Sequence, residues 1–150
     1  MFCLAFDVAA AGALAWRLVR AHARSEAGSA RGFGRRIRPH VQAELDAAAA
    51  RERAGDAAAA FEHLERAHVL GQASTVEHVR VHLRMLLWGL RQRHPAEIGG
   101  QILRIVGAAA LTPFGLIPQG NTGGSRISPF RPVVIPPDLA RLIAAASPPG

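Results

Sequence analysis

The 150-residue chain has no lysine and no tyrosine, and only one cysteine, two tryptophans and six phenylalanines. A lone thiol, Cys3, excludes an intramolecular disulfide, so the fold needs no oxidising compartment and the cytoplasm is the expected location. With aromatics at 5%, the core has to be assembled from Ala, Leu, Val and Ile, which suits closely packed helices better than a sheet. The same scarcity removes the stacking platform that single-stranded nucleic-acid binders interleave with their basic residues.

Without lysine, all 18 basic residues are arginine, and the formal net charge is +7. Seven of those arginines lie between Arg17 and Arg38, opposed within residues 1 to 38 only by Asp7 and Glu26, while eleven arginines and nine acids nearly balance in the remainder. The excess charge belongs to an N-terminal arm, which argues against nucleic acid as the partner of the domain itself. Long apolar runs are also missing. Phe2 to Val19 is broken by Asp7 and Arg17 and has no basic residue before it, so a membrane role is restricted to residues 1–20. The competing reading of that segment is an export signal or anchor over residues 1–23, ending at Ala21-His22-Ala23.

What is present is helical signal. Ser25 to Arg38 mixes Gly, Ser and Arg and reads as a flexible basic linker, which makes residues 1–38 an N-terminal extension and residues 39–146 the domain. Val41 to Arg53 is an Ala-rich helix, and Gly55-Asp56 supplies a stop and an N-cap for a second helix, Ala57 to Leu70. Ser74 or Thr75 starts a third, with Glu77 placed for a capping box on Ser74, and it runs to about Arg93. In a fourth, Ala96 to Leu111, the apolar residues Ile98, Ile102, Ile105 and Ala109 fall at helical spacing. Eight of the ten prolines lie from Pro113 onward, so residues 115–136 are expected to wrap the bundle as extended chain, anchored by Phe114, Leu116, Ile117, Ile127, Phe130, Val133 and Ile135. Pro137 to Ala146 is the last candidate helix, and residues 147–150 the expected disordered tail. The fold class is mainly α: a four- to five-helix array of antiparallel hairpins with a Pro/Gly-rich C-terminal wrap.

Several runs carry a family resemblance. Phe61 to Gln72 (FEHLERAHVLGQ), His78 to His82 (HVRVH), Gly100 to Arg104 (GQILR) and Pro118 to Gly124 (PQGNTGG) resemble a bacterial family of unknown function, domain 3703, over roughly residues 38 to 145. The resemblance implies a shared fold and no activity. Gly55-Asp56, Ala60, Leu64 and Ala67 also look like the second half of a tetratricopeptide unit, where small residues let paired helices approach.

Four of the seven histidines, His63, His68, His78 and His82, fall within twenty residues. Phe61, Leu64 and His68 share the apolar face of the second helix, with Glu65 one turn before His68 and Gln72 one turn after, whereas His63 falls on the solvent side. Glu-x-x-His is a spacing by which carboxylate-bridged bundles project two ligands from one helix. On the third helix Glu77, Arg80, Arg84 and Arg91 share what reads as the solvated face, and His78 and His82 form an i, i+4 pair on the next strip, continued by Met85 and Gly89. If the short turn folds these helices together, Glu65, His68, His78 and His82 converge as a three-His, one-carboxylate set for zinc or another transition metal. The rival reading is a satisfied polar core.

Two other motifs are polar. Gln101 and Arg104, opposite the isoleucines, are placed to bond carbonyls of the wrap. The loop Gln119 to Arg126 supplies Gly120, Asn121, Gly123, Gly124 and Arg126, which with Arg104 can form an anion cradle, or else a structural turn held by Asn121. No nucleophile setting is present, so catalysis would need a metal-activated water with Glu65 or Glu62 as base, and whether the chain is an enzyme stays open. Three functional readings follow: metal handling or sensing through the Glu/His cluster; a tetratricopeptide-like module docking a protein partner on Arg80, Arg84 and Arg91; and an enzyme acting on an anionic small molecule. The last requires the glycine loop to face Gln101 and the histidines across one cavity.

Overall fold

The computed structural model describes residues 8–116, 119–128 and 130–148, with side chains from residue 32 onward. Among the described residues the fold is a small all-α array of five helices, α1 (Val8–Arg53), α2 (Ala57–Gly71), α3 (Thr75–Arg91), α4 (Pro95–Leu111) and α5 (Pro137–Ala146), with a one-turn 3-10 helix at Thr112–Phe114. The first four are joined by short turns and pack in sequence, α1 on α2, α2 on α3 and α3 on α4, while α5 closes against α1 and α2. The stop after α1 works as its residues dictate: Gly55 takes φ +80°, and the Asp56 carboxylate accepts a hydrogen bond from Ala59 N at 3.0 Å.

The core starts earlier than the composition suggests. Phe33, Ile37, Val41, Leu45 and Ala48 form one buried stripe on α1, facing Leu64, Ala67 and Leu70 of α2, Val81 and Met85 of α3 and Leu139 of α5. The segment expected to be a flexible linker, Ser25 to Arg38, is therefore helix, and its last turns carry core residues. Pro39 does not break this helix. It removes one backbone bond and lies on the exposed face of α1, while buried side chains on both sides of it hold the helix together. Arg36 Nε donates to Ala146 O at 2.6 Å, which ties the same turn to the end of α5. Cys3 and Asp7 lie outside the described residues, and no helix among those described is long and apolar enough to cross a membrane.

Three further expectations are corrected. Ser74 is the N-cap of α3 but makes no side-chain cap bond. The Glu77 carboxylate is instead buried, 2.9 Å from Arg80 Nη1 and 3.8 Å from Arg38 Nε, so Glu77 is not on a solvated face. On that face Arg80 also bonds Gln42, and Arg91 forks onto Glu52 at 2.7 and 2.8 Å; of the three arginines expected to dock a partner, two are engaged within the chain. Helix α4 is turned relative to its expected stripe. Glu97, Gln101 and Ala108 are buried, whereas Ile102, Leu103 and Val106 are exposed.

The same inversion governs the segment after α4, which beyond the 3-10 turn has no helix or strand among its described residues before α5. Phe114, Leu116 and Phe130 are exposed rather than anchoring, Ile127, Val133 and Ile135 are half-buried, and Ile117 lies outside the described residues. The wrap is held by polar bonds. Asn121 Nδ2 donates to Ser128 O and Arg131 O, both at 2.8 Å, Val133 N donates to Gln119 O at 3.1 Å, and Arg104 donates to Ile127 O. At the C-terminus Ser147 N donates back to Ile143 O, so it belongs to the end of α5, while Pro149 and Gly150 lie outside the described residues.

Candidate metal centre

Helix α2 ends at Gly71, and α3 begins at Thr75 after a turn closed by Ser74 N donating to Gly71 O at 2.9 Å. So tight a reversal places the last turn of α2 against the first turns of α3. His68 from the former meets His78 and His82, one turn apart, from the latter. All three side chains are buried, at 2–3% exposure. Their Nε2 atoms face one another, His68 to His78 at 2.8 Å, His78 to His82 at 3.1 Å and His68 to His82 at 3.2 Å.

Each ring is fixed from behind through Nδ1, by a partner from a different element. His68 Nδ1 is 2.8 Å from Asn121 O, a backbone carbonyl that can only accept, so the proton of this ring is on Nδ1. His82 Nδ1 is 2.6 Å from Gln101 Oε1. That amide is oriented in turn, because its Nε2 donates to Glu97 Oε1 at 2.5 Å and Gly123 O at 2.8 Å, two groups that cannot donate to it. The oxygen therefore faces His82, which must carry its proton on Nδ1 as well. His78 Nδ1 is 2.8 Å from Thr112 Oγ1, a hydroxyl that can accept or donate and so permits either tautomer. The result is two Nε2 lone pairs fixed toward a common point, and a third that is free to join them.

The surroundings keep the rings neutral. Burial, followed by the neighbouring His82 and His78, holds His68 well below the ordinary histidine value. Burial and His82 lower His78 to about 3, and burial lowers His82 to about 4 against the opposing bond to Gln101. A buried, uncharged imidazole with a free Nε2 and a hydrogen-bonded Nδ1–H is the form in which histidine ligates a metal. The Nε2 separations are also close to the roughly 3.3 Å that a tetrahedral ion with Zn–N bonds of about 2.0–2.1 Å would set.

Glu65, expected as a fourth ligand, is not in the cluster. Its carboxylate accepts a bond from Thr122 Oγ1 at 2.9 Å, and burial raises its affinity for a proton. The candidate set is three histidines, which offer one ring nitrogen each, all within 4.8 Å of one another. Glu62 is exposed, and His63, expected to face solvent, is half-buried with Nδ1 2.7 Å from Glu44 Oε2 across the α1–α2 seam. Gln101 and Arg104 do bond the wrap, but the bond from Gln101 to His82 and the roles of Thr112, Glu97 and the Asn121 carbonyl were not read from the sequence. A hint was there in Glu97 and Gln101 at i, i+4 among small residues, the mark of a polar face packed closely against something.

Two amides of the glycine loop are bonded within the chain. Gly123 N donates to Asn121 Oδ1 and Ser125 N to Glu97 Oε2, both at 3.0 Å, and Arg126 is exposed. Its glycines serve close approach instead. Gly123 takes φ +79°, and a Cβ there would lie 2.6–2.8 Å from the His68 ring; at Gly120, φ +73°, it would lie 1.9 Å from Val133 O. The loop does face Gln101 and the histidines. A cavity of about 280 Å³ opens beside the three rings, with Asn121, Gly123 and Arg104 in its wall and Leu103, Leu111, Leu116 and Phe130 around it.

The model of the family described as "Protein of unknown function (DUF3703)" matches residues 35–143, and the chain belongs to that family. No curated protein and no solved structure matches it.

Proposed function

We propose that this member of the family binds one transition metal ion through Nε2 of His68, His78 and His82, to hold or sense the ion rather than to use it in hydrolysis. The observation that carries the reading is the direction of the rings. Three buried imidazoles converge on one point, and the bonds that fix His68 and His82 force their protons outward. A hydrogen-bonded core needs a proton between nitrogens in contact, and the His68 and His82 Nε2 atoms, 3.2 Å apart, have none between them whichever tautomer His78 takes. All-imidazole ligation suits zinc, cobalt, nickel or copper and disfavours magnesium and calcium, which take oxygen ligands.

Retention rather than water activation is supported by the carboxylates. Glu97 is committed to Gln101 and Ser125 and Glu65 to Thr122, and neither lines the cavity, so no base is poised there. The test is elemental analysis of untagged protein expressed in metal-replete medium, with a His68→Ala/His82→Ala variant beside it. About one equivalent of metal in the parent and none in the variant is expected. A metal-free parent that also fails to take up zinc or cobalt in titration overturns the reading.

A further inference from the structure

Three ligands leave a tetrahedral ion one open position, and Arg104 lies in the same cavity wall. We infer that the cavity beside the histidines binds a small organic anion with an apolar body, its charged end shared between the bound ion and the Arg104 guanidinium. The inference rests on the metal reading and adds a ligand class to it.

Charge comes first. A divalent ion on three neutral imidazoles and a guanidinium beside them place positive charges around one cavity, and no carboxylate among the described residues lines it. Arg104 shares the cavity wall with all three rings, and the buried Glu97 carboxylate, bonded to Gln101 and Ser125 N, is not part of that wall. One guanidinium nitrogen is spent on Ile127 O, while Nε is buried and has no hydrogen-bond partner among the described residues. A buried N–H left unpaired costs about 1–3 kcal/mol, so the chain leaves this guanidinium under-satisfied, and an anion against its cavity side would strengthen its bonding. Like charges held this close are best relieved by an anion that touches both.

Shape and surface supply the rest of the ligand. Leu103, Leu116 and Phe130 border the cavity, yet they are 76, 64 and 72% exposed, an apolar rim that nothing among the described residues covers. Gly107 and Ala108 keep the α4 wall thin. A free inorganic anion would leave that rim wet, whereas a carboxylate with a short aliphatic or aromatic body would cover it. At about 280 Å³ the space lies at the small end of ligand pockets, which favours a body the size of hexanoate or benzoate over a long lipid.

The experiment uses full-length protein loaded with cobalt(II), whose visible absorption responds to a change of ligand. Acetate, butanoate, hexanoate, benzoate and inorganic phosphate are titrated in turn. Hexanoate and benzoate are expected to shift the bands, with affinity rising about threefold to fourfold per added methylene along the aliphatic series. Arg104→Gln is expected to weaken hexanoate tenfold or more without changing cobalt stoichiometry, and Leu103→Asn to flatten the chain-length dependence. Cobalt that binds but ignores hexanoate and benzoate, or responds equally to acetate and hexanoate, overturns the inference and leaves the metal reading standing. Failure to bind cobalt removes both.

Discussion

Lowering the pH should unfold this protein through its histidine cluster, and the size of the effect follows from burial. His78 and His82 are held at about 3 and about 4, against an ordinary value of 6.5 in the unfolded chain. Below 6.5 the unfolded chain takes up protons that the folded one refuses. The stability present above 6.5 is therefore lost as the pH falls through 6.5 toward 4, at about 1.4 kcal/mol per pH unit for each ring. Between pH 7 and about 5.5 that amounts to roughly 1 kcal/mol per ring, or about 2–3 kcal/mol for the two, and His68, lowered by the same burial, adds in the same direction. Such a loss is a large part of the roughly 5–15 kcal/mol that stabilises an ordinary domain. The assay is urea unfolding of metal-free protein in chelator at closely spaced pH values, with His82→Gln alongside. The variant should lose about one proton's worth of slope. Zinc at a hundredfold excess over its dissociation constant should add about 2.7 kcal/mol near neutral pH and progressively less in acid, because the ligands must be deprotonated. A metal-free protein whose stability changes by less than about 1 kcal/mol across this window would refute the reasoning, since it would mean that the rings are hydrated or already charged.

Gly123→Ala combines a left-handed φ with a Cβ less than 3 Å from the His68 ring; it should lower zinc affinity at least tenfold and cost about 1–3 kcal/mol in denaturant, and unchanged values for both would show that the loop yields freely. Gln101→Leu removes the acceptor that orients His82 and leaves Glu97 Oε1 without its amide donor, so metal affinity should fall about 10- to 100-fold by competitive chelator titration; an equal affinity would mean that His82 needs no orienting partner. Ile37→Ala, on the far side of Pro39, should destabilise by about 2–5 kcal/mol, as expected for a core position, and a loss under 1 kcal/mol would return that turn to the status of a linker.

Most helices were legible because their signals are local. Gly55-Asp56, the Ser74 start and Pro95 mark turns that the backbone has to make, and the bounds of α2, α3 and α4 follow from them. The errors came where a non-local contact outweighs a local preference. Pro39 and the Gly/Ser/Arg run before it read as a break, but Phe33 and Ile37 pack on the core and Arg36 reaches the end of α5. Glu77 and Arg80 looked solvated because they are charged, yet Glu77 is buried against Arg80 and Arg38. Helix α4 was turned the wrong way for the same reason: its isoleucines were assigned inward by hydropathy, while Glu97 and Gln101 are buried around the histidines.

That last inversion ties the fold to its candidate site. A helix that buries Glu97 and Gln101 and leaves Ile102, Leu103 and Val106 in solvent forgoes several kcal/mol of apolar burial. What it gains is a rigid relay, in which Glu97 and Gly123 orient the Gln101 amide and the amide orients His82. Asn121 performs the corresponding task for His68 from a loop that Gly123 brings against the ring. Spacing along α2 and α3 is enough to gather three histidines, but it is silent about which nitrogen of each ring faces inward. That choice is made by acceptors 19 and 53 residues away from the rings they fix, and it separates a ligand set from a hydrogen-bonded core. A polar α4 face is costly as structure and economical as a means of aiming lone pairs, which is why the metal reading accounts for more of this fold than a polar core does.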